Sequence, residues 1–478
     1  MSVLIAGAAG NFTAAGTWRF ISALGGSQLF AGATVQAVQT TPGTGSDSNS
    51  WTGDASNTDG ILLNIASRAA SPSGTMTVAL RRTSGTPADL RTVTINVADL
   101  PAAGNGWVLF KFSSVITLLP GDTHVVRAST SVATQVSLFR DAASTSNWNR
   151  ASRLSDPPPS VAAADIFYVG AEFTGAGAST PLTVTVNSTA ATDYGAIQVS
   201  AGGTLAFGVA ASTAYILRTT GVLNVWGGGI LQMGTPGTPM PSTSSAILEF
   251  DCTVDGEFGL VVNNGGTFTA RGATLSFDRT ALAADAAAAA TSLTTADSTG
   301  WVTGDVIAIA TTSQTSGQSE SRTLTSAAGT ALGVGALTNA HSGTVPTRAE
   351  VILLTRNVRI RAVTAGLVTY ANFKATAVID LAWMEFSEIG QALAGKRGVE
   401  IETTTGSCAI DRCSIHDADA NGIILTGATL NNVTLTNNVV YNLARTGAPG
   451  VQVALTSGTI TITGNIFMQG DGSANRDN

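Results

Sequence analysis

The sequence predicts an all-β protein: an N-terminal β-sandwich of jelly-roll type followed by a right-handed parallel β-helix. Three observations carry that expectation. The decapeptides CAIDRCSIHD, VTLTNNVVYN and ITITGNIFMQ, which start at Cys408, Val433 and Ile460, repeat one pattern. Gly-Gly pairs punctuate the middle of the chain, each followed by an apolar alternation. Short runs of Val, Ile and Thr alternate with other residues throughout, between turns supplied by 53 Gly and 14 Pro.

Composition bounds the reading. With 478 residues the chain is long enough for two or three domains and a large core. Hydrophobic residues make up 44% and charged residues only 12%, against a usual charged share of roughly 25%, so Ser, Thr, Asn and Gly must supply the polar surface. The net charge is −7 and no dense basic run is present, which argues against a nucleic-acid partner. The opening MSVLIAGAAGNFTAAGTW lacks the basic leader of a secretory signal. No apolar run is long enough to cross a bilayer, and the expectation is a soluble protein made in a cytoplasm. Cys252, Cys408 and Cys413 are too few, and odd in number, for a disulfide framework; they read as small buried hydrophobes.

The first region, residues 1–175, contains GTMTVALRRT, RTVTINVADL and GWVLFKFSSVITLLPGDTHVVRAST. In WVLFKF the alternate residues Val108, Phe110 and Phe112 share one side of a strand and face a core, with Trp107, Leu109 and Lys111 on the other. A Pro-Gly turn in LLPGD returns the chain as HVVRAST, and sheet on sheet is the simplest architecture. LSDPPPSVAAAD reads as an extended exit segment. GNFTAAGTW, the GWVLFKF to VVRAST block and STSNWNR together resemble the N-terminal region of bacteriophage structural proteins and their prophage relatives. That resemblance implies an attachment module of a virion protein.

In residues 176–365, SAGGTLAFG, NVWGGGILQMG and NNGGTFTARG place a glycine pair before each alternation. Glycine takes positive φ without strain, so each pair marks a corner where the chain turns into the next rung. TALAADAAAAATSL is the one helix candidate, although its alanines form no apolar stripe. The blocks GGGILQMGTPGTPMPSTSSAILEFDC, GWVTGDVIAIATT, ESRTL and AEVILLTRNVRIRA resemble the eight-glycine domain of fibrocystin and of the cell-migration-inducing hyaluronan-binding family. Such domains occur in enzymes, receptors and virion proteins, so the likeness implies fold alone.

Residues 366–478 carry the repeat. Positions one, three, six and eight of the decapeptides read Cys408, Ile410, Cys413, Ile415; Val433, Leu435, Asn438, Val440; and Ile460, Ile462, Asn465, Phe467. Ile379, Leu381, Met384 and Phe386 fit the same frame, with steps of 29, 25 and 27 residues between copies. A second series, GVEIET, GIILTG and GVQVAL, recurs in phase from Gly398, Gly422 and Gly450. Period-two alternation inside a period of about 25 is the pattern of a parallel β-helix. Asn438 over Asn465 should form an amide ladder, with Cys413 as its small counterpart. A final rung normally needs a cap. None is visible in MQGDGSANRDN, so the expectation is that the coils continue in a longer polypeptide.

Chemistry is sparse. The histidines are His124, His341 and His416. No Cys/His spacing suits zinc, no G-x-S-x-G elbow is present, and no glycine-rich segment leads into a phosphate-binding helix; no cofactor or metal is expected. In SIHDADANG, His416, Asp417 and Asp419 sit in a loop between two coil strands, with Glu385 and Glu388 on the preceding rung. Glycosidase carboxylates lie roughly 5 to 9.5 Å apart, a spacing neighbouring loop residues satisfy, as does any solvated acidic loop. Trp18, Trp51, Trp107 and Trp148 lie in the first region; Trp148 in SNWNR and Trp51 are candidate sugar contacts, and core packing explains such rings equally well. Three readings follow: a virion structural protein such as a tail fibre or spike subunit that attaches to the host surface, assembled as a homo-oligomer with a trimer favoured; a β-helical polysaccharide hydrolase or lyase; and a bacterial surface adhesin. The first also accounts for the absent leader and the phage-like blocks.

Overall fold

A computed structural model describes residues 3–6, 10–14, 18–23, 33–37, 51–52, 57–100, 103–141, 151–154, 166–170, 172–175, 178–313, 317–402, 406–443 and 450–468. Among them the only helical element is a 3-10 turn at Val97–Asp99, and the rest of the regular structure is β.

The N-terminal sandwich packs two sheets. One runs in the order Trp51–Thr52, Thr123–Thr130, Thr75–Arg82, Ala88–Asn96, antiparallel throughout. The other centres on Asn57–Arg68, paired antiparallel with Ala103–Thr117, Val136–Asp141 and Ala151–Leu154. Val108, Phe110 and Phe112 enter the core with Ile61, Leu63, Val78, Leu80 and Val126, as their alternation predicts. Leu109 and its cross-strand partner Leu62 are buried as well, so the second sheet is covered on both faces at this point. The exit segment, apart from Leu154, lies outside the described residues.

The remainder is a parallel β-helix of three strand columns. The first column stacks Ile166–Val169, Ile197–Val199, Leu223–Val225, Leu260–Val262, Ala371–Phe373 and Val399–Ile401. The second stacks Leu182–Val186, Gly203–Phe207, Ile230–Met233, Thr267–Arg271, Val378–Ala382 and Cys408–Asp411. The long strands Ile423–Thr436 and Val451–Thr463 continue both columns at once. The third stacks Ala214–Thr219, Ser245–Phe250, Val358–Ala362, Met384–Ile389, Ser414–Ala418, Val439–Leu443 and Ile466–Met468. Near the start of the chain, Val3–Ala6 and Gly10–Asn11 pair parallel with Ile166–Val169 and Leu182–Val186, so the polypeptide joins the coil, leaves for the sandwich and returns.

The repeat frame is realised residue by residue. Leu381, Ile410, Leu435 and Ile462 are register partners in successive coils. Val399, Ile423 and Val451 are partners in the second series. Inward side chains from Phe167 to Val440 make one continuous core, and each buried aliphatic contributes about 1.5–3 kcal/mol. The glycine pairs serve two ends. Gly202, Gly228 and Gly265 hold φ of 72°, 77° and 75° and hydrogen-bond in sequence through their backbones. The second glycine of each pair lies against a neighbouring coil: a Cβ on Gly203, Gly229 or Gly266 would sit 2.3, 2.5 or 2.6 Å from a backbone oxygen.

One unit interrupts the coil. Between Thr267–Arg271 and Val358–Ala362, the strands Arg279–Ala281, Glu350–Leu353, Val306–Ile309, Glu320–Ala328, Ala331–Val334 and Ser292–Thr294 form an antiparallel sheet in that order. An antiparallel bridge between Leu282 and Thr295 joins its two ends, so the sheet curls shut around Leu282, Leu293, Ile307, Leu324 and Val351. The helix candidate lies here and is not helical; its two ends are strands of this barrel. The buried side chains in it, Thr280, Leu282, Ala286 and Leu293, lie at or near those ends, and no helical stripe exists to outweigh them. Of the blocks resembling the eight-glycine domain, the first builds coil strands and the next two build the barrel. Ala308, Ile352 and Leu354 of this unit pack on Val439, Tyr441 and Met468, which covers part of the third column's outer face.

Candidate functional site

The acidic group predicted around His416 does assemble, in a setting that differs from an open loop. His416 lies within the strand Ser414–Ala418 and is buried. The strand keeps its pairing register across Asp417, which takes a left-handed φ of 53°. Residues 353–356, which lead from the barrel back into the coil, cover this part of the third column: the Arg356 N–H donates to Glu385 Oε2 at 2.7 Å, and its guanidinium to Leu353 O at 2.7 Å and Arg412 O at 3.3 Å.

Within that setting His416 Nδ1–H donates to Asp417 Oδ2 at 2.8 Å, while Nε2 meets Glu385 Oε1 at 3.4 Å as a charge contact rather than an aligned hydrogen bond. Burial opposes the imidazolium, but Asp417 and Glu385 outweigh it and raise the pKa to about 9. Glu385 also approaches Arg359 Nε at 3.3 Å. Burial pushes its carboxyl up, yet His416, Arg359 and the Arg356 N–H together hold it below the usual carboxylate range. These contacts occupy both oxygens of Glu385, Oε1 with His416 of the next coil and Oε2 with Arg359 and the segment that leaves the barrel.

Glu388 differs. It sits at the register level of Asp417 in the next coil, between the pairs Ser387–His416 and Ile389–Ala418, and shares the left-handed conformation with a φ of 52°. Left-handed residues other than glycine cost about 1–2 kcal/mol each. Burial raises the Glu388 carboxyl above its ordinary value, and the adjacent Asp417 charge raises it further, against Arg361 and His416. Asp419 follows at the strand end, its N–H donating to Ile389 O at 3.0 Å. Trp148 lies outside the described residues; Trp51 lies in a short strand paired with Thr123–Thr130. The three cysteines are free and buried, and burial pushes the Cys413 thiol up to about 12. His341 Nδ1–H donates to Ala310 O at 2.9 Å, and its Nε2 lies 2.8 Å from Glu320 Oε1 within the barrel. Among the described residues, no group of three or more His, Cys, Asp and Glu stands where it can hold a metal ion, and no helix is long and apolar enough to cross a membrane.

A second place gathers polar and aromatic side chains that the sequence does not single out. The residues that follow the first-column triplets Leu223–Val225, Leu260–Val262, Ala371–Phe373 and Val399–Ile401 are Trp226, Asn263, Lys374 and Glu402, in register at one corner. Backbone bonds from Trp226 N to Val199 O, Asn263 N to Val225 O and Lys374 N to Val262 O hold the stack at 2.7 to 2.8 Å. A recess of about 220 Å³ opens between Trp226, Asn263, Asn264 and Lys374. A second, about 400 Å³, shares Lys374 and extends past Gly395, Arg397, Glu400, Glu402 and Thr426. The signal was present, one polar or aromatic residue after each inward triplet, but the barrel insertion breaks the spacing between Asn263 and Lys374.

No protein-family model and no curated protein matches the chain. Solved structures do. The tailspike of Acinetobacter baumannii bacteriophage AP22, in complex with A. baumannii capsular saccharide, is similar over 57% of this chain and 53% of its own, at 13% identity and a TM-score of 0.18. The tailspike gp49 of Pseudomonas phage LKA1 is similar over 57% of this chain and 48% of its own, at 15% identity and a TM-score of 0.18. The matched part thus spans about half the length of each tailspike. The catalytic domain of a GH87 α-1,3-glucanase in complex with nigerose aligns over 95% of this chain and 93% of its own, at 9% identity and a TM-score of 0.18.

Proposed function

We propose that this chain is a subunit of a bacteriophage appendage, a tail spike or fibre, whose β-helix meets a glycan on the host surface. The observation that carries the reading is the corner stack of Trp226, Asn263, Lys374 and Glu402, which opens polar recesses coil after coil along one flank. A repeating surface of that kind suits a long, repetitive, hydroxyl-rich ligand. The phage-like blocks of the first region support the virion setting, and the sandwich, which holds the GWVLFKF to VVRAST block, is the natural attachment module. Homo-oligomeric assembly, with a trimer favoured, belongs to the same reading, since an elongated coil gains burial by association around an axis. Cosedimentation of the purified chain with capsule or lipopolysaccharide from candidate host strains tests attachment; absence of binding across a panel that includes the host removes it.

A second reading, a glycan depolymerase, rests on Glu388 and Asp417. Two acidic side chains at one register level, both left-handed and one with a raised pKa, match the rule that paired carboxyls in unlike environments divide acid and base roles. Release of reducing ends from the bound polysaccharide, lost in Glu388→Gln, is the test.

A further inference from the structure

We infer that the Trp226 recess is a binding subsite for a neutral saccharide, occupied along the coil axis rather than around it. The inference rests on the attachment reading and names the ligand class and place. The ring of Trp226 forms one wall, and its Nε1–H donates to Gln198 Oε1 at 2.6 Å, which holds the indole in place through a neighbouring coil. An aromatic face held in this way packs on the apolar face of a pyranose. Asn263 and Asn264 present amides, each able to donate and accept, which matches the hydroxyl pairs of a sugar. Asn263 is braced from behind, its Nδ2 reaching Asn224 Oδ1 at 3.3 Å.

Charge decides against a polyanion. Lys374 Nζ lies 2.8 Å from Glu402 Oε1, and Arg397 Nη2 lies 2.9 Å from Glu400 Oε1, so each cation along the track is matched by a carboxylate within the protein. An acidic polymer would have to break those pairs or meet their carboxylates, whereas sugar hydroxyls bond to both partners of a pair. The direction follows from the register. Trp226, Asn263, Lys374, Glu402 and Thr426 come from five successive coils, and strands stacked at about 4.8 Å make the track roughly 20 Å long, the reach of a short oligosaccharide laid parallel to the axis.

The experiment uses the full chain on an array of neutral glycans (dextran, maltoheptaose, cellohexaose and galactomannan) and anionic ones (polygalacturonate and hyaluronan), with intrinsic tryptophan fluorescence as a second readout. The expected result is retention on one or more neutral glycans with a change in indole emission, and about ten-fold weaker binding in Trp226→Ala at unchanged circular dichroism. Asn264→Arg, at an exposed position that tolerates a long side chain, should block the recess and abolish the same binding if Trp226→Ala folds poorly. Neutral-glycan binding unchanged in both variants overturns the subsite and leaves the attachment reading standing. Retention on the anionic polymers alone overturns the charge argument and the subsite with it. Binding to none of the six, with host polysaccharide still bound, overturns the ligand class, and loss of host binding too removes both readings.

Discussion

The Asn438 side-chain amide donates to Asn465 Oδ1 in the next coil at 2.9 Å, and its own Oδ1 accepts the Cys413 N–H of the previous coil at 2.8 Å. Asn438 Nδ2 also reaches Ile410 O, and Asn465 Nδ2 reaches Leu435 O, each at 2.8 Å. One buried amide therefore satisfies backbone groups that the turn leaves without ladder partners, and the ladder is a register lock between coils.

Replacing Asn438 by Ala orphans a buried donor and a buried acceptor, and should destabilise by on the order of 2–4 kcal/mol. Asn465→Ala, at a half-buried position, should cost less. Denaturant midpoints of the two variants, compared at equal slope, check the order; equal midpoints would mean that solvent replaces the ladder.

Gly229→Ala places a methyl 2.5 Å from Val199 O, while Gly237→Ala meets open space. The first should lose about 1–3 kcal/mol and the second stay within about 0.5 kcal/mol of the parent. Differential scanning calorimetry on both variants reads the contrast directly.

The buried His416 sets a pH dependence. Its folded pKa of about 9 lies above the ordinary histidine value of 6.5, so its stabilisation is complete below about 6.5 and disappears as pH rises through about 9. The loss should amount to about 1–3 kcal/mol. Glu385 acts at the other end: its depressed pKa makes a contribution present above the ordinary carboxylate range and lost on acidification through the folded value. His416→Gln should flatten the alkaline limb of a melting-temperature profile and leave the sandwich core intact. A limb unchanged in that variant would assign alkaline loss to other groups.

For a binding subunit, host polysaccharide incubated with the chain should release no reducing ends, and Asp417→Ala with Asp419→Ala should leave binding unaltered. Release that disappears in Glu388→Gln would instead favour the depolymerase reading, with the raised Glu388 carboxyl as acid.

Assembly is read by light scattering coupled to size exclusion and by electron microscopy. The expected mass is that of three chains; compact monomers at every concentration would remove the trimer.

The coil stack was legible in the sequence because its cause is local. A strand that buries alternate side chains must repeat that alternation each coil, so Ile410, Leu435 and Ile462, the Asn438 to Asn465 ladder and the glycine corners appear in the one-dimensional pattern before any coordinate is known. What covers the outside of the stack has no such period. Only the tertiary structure closes residues 279–353 into a barrel, lays Ile352 and Leu354 on Tyr441, and so buries His416 against Glu385. Only it brings Trp226 and Lys374 to one recess across that insertion. Inward contacts are imposed by each strand's own alternation, whereas outward ones depend on which distant segment arrives, and residue order alone does not encode that meeting.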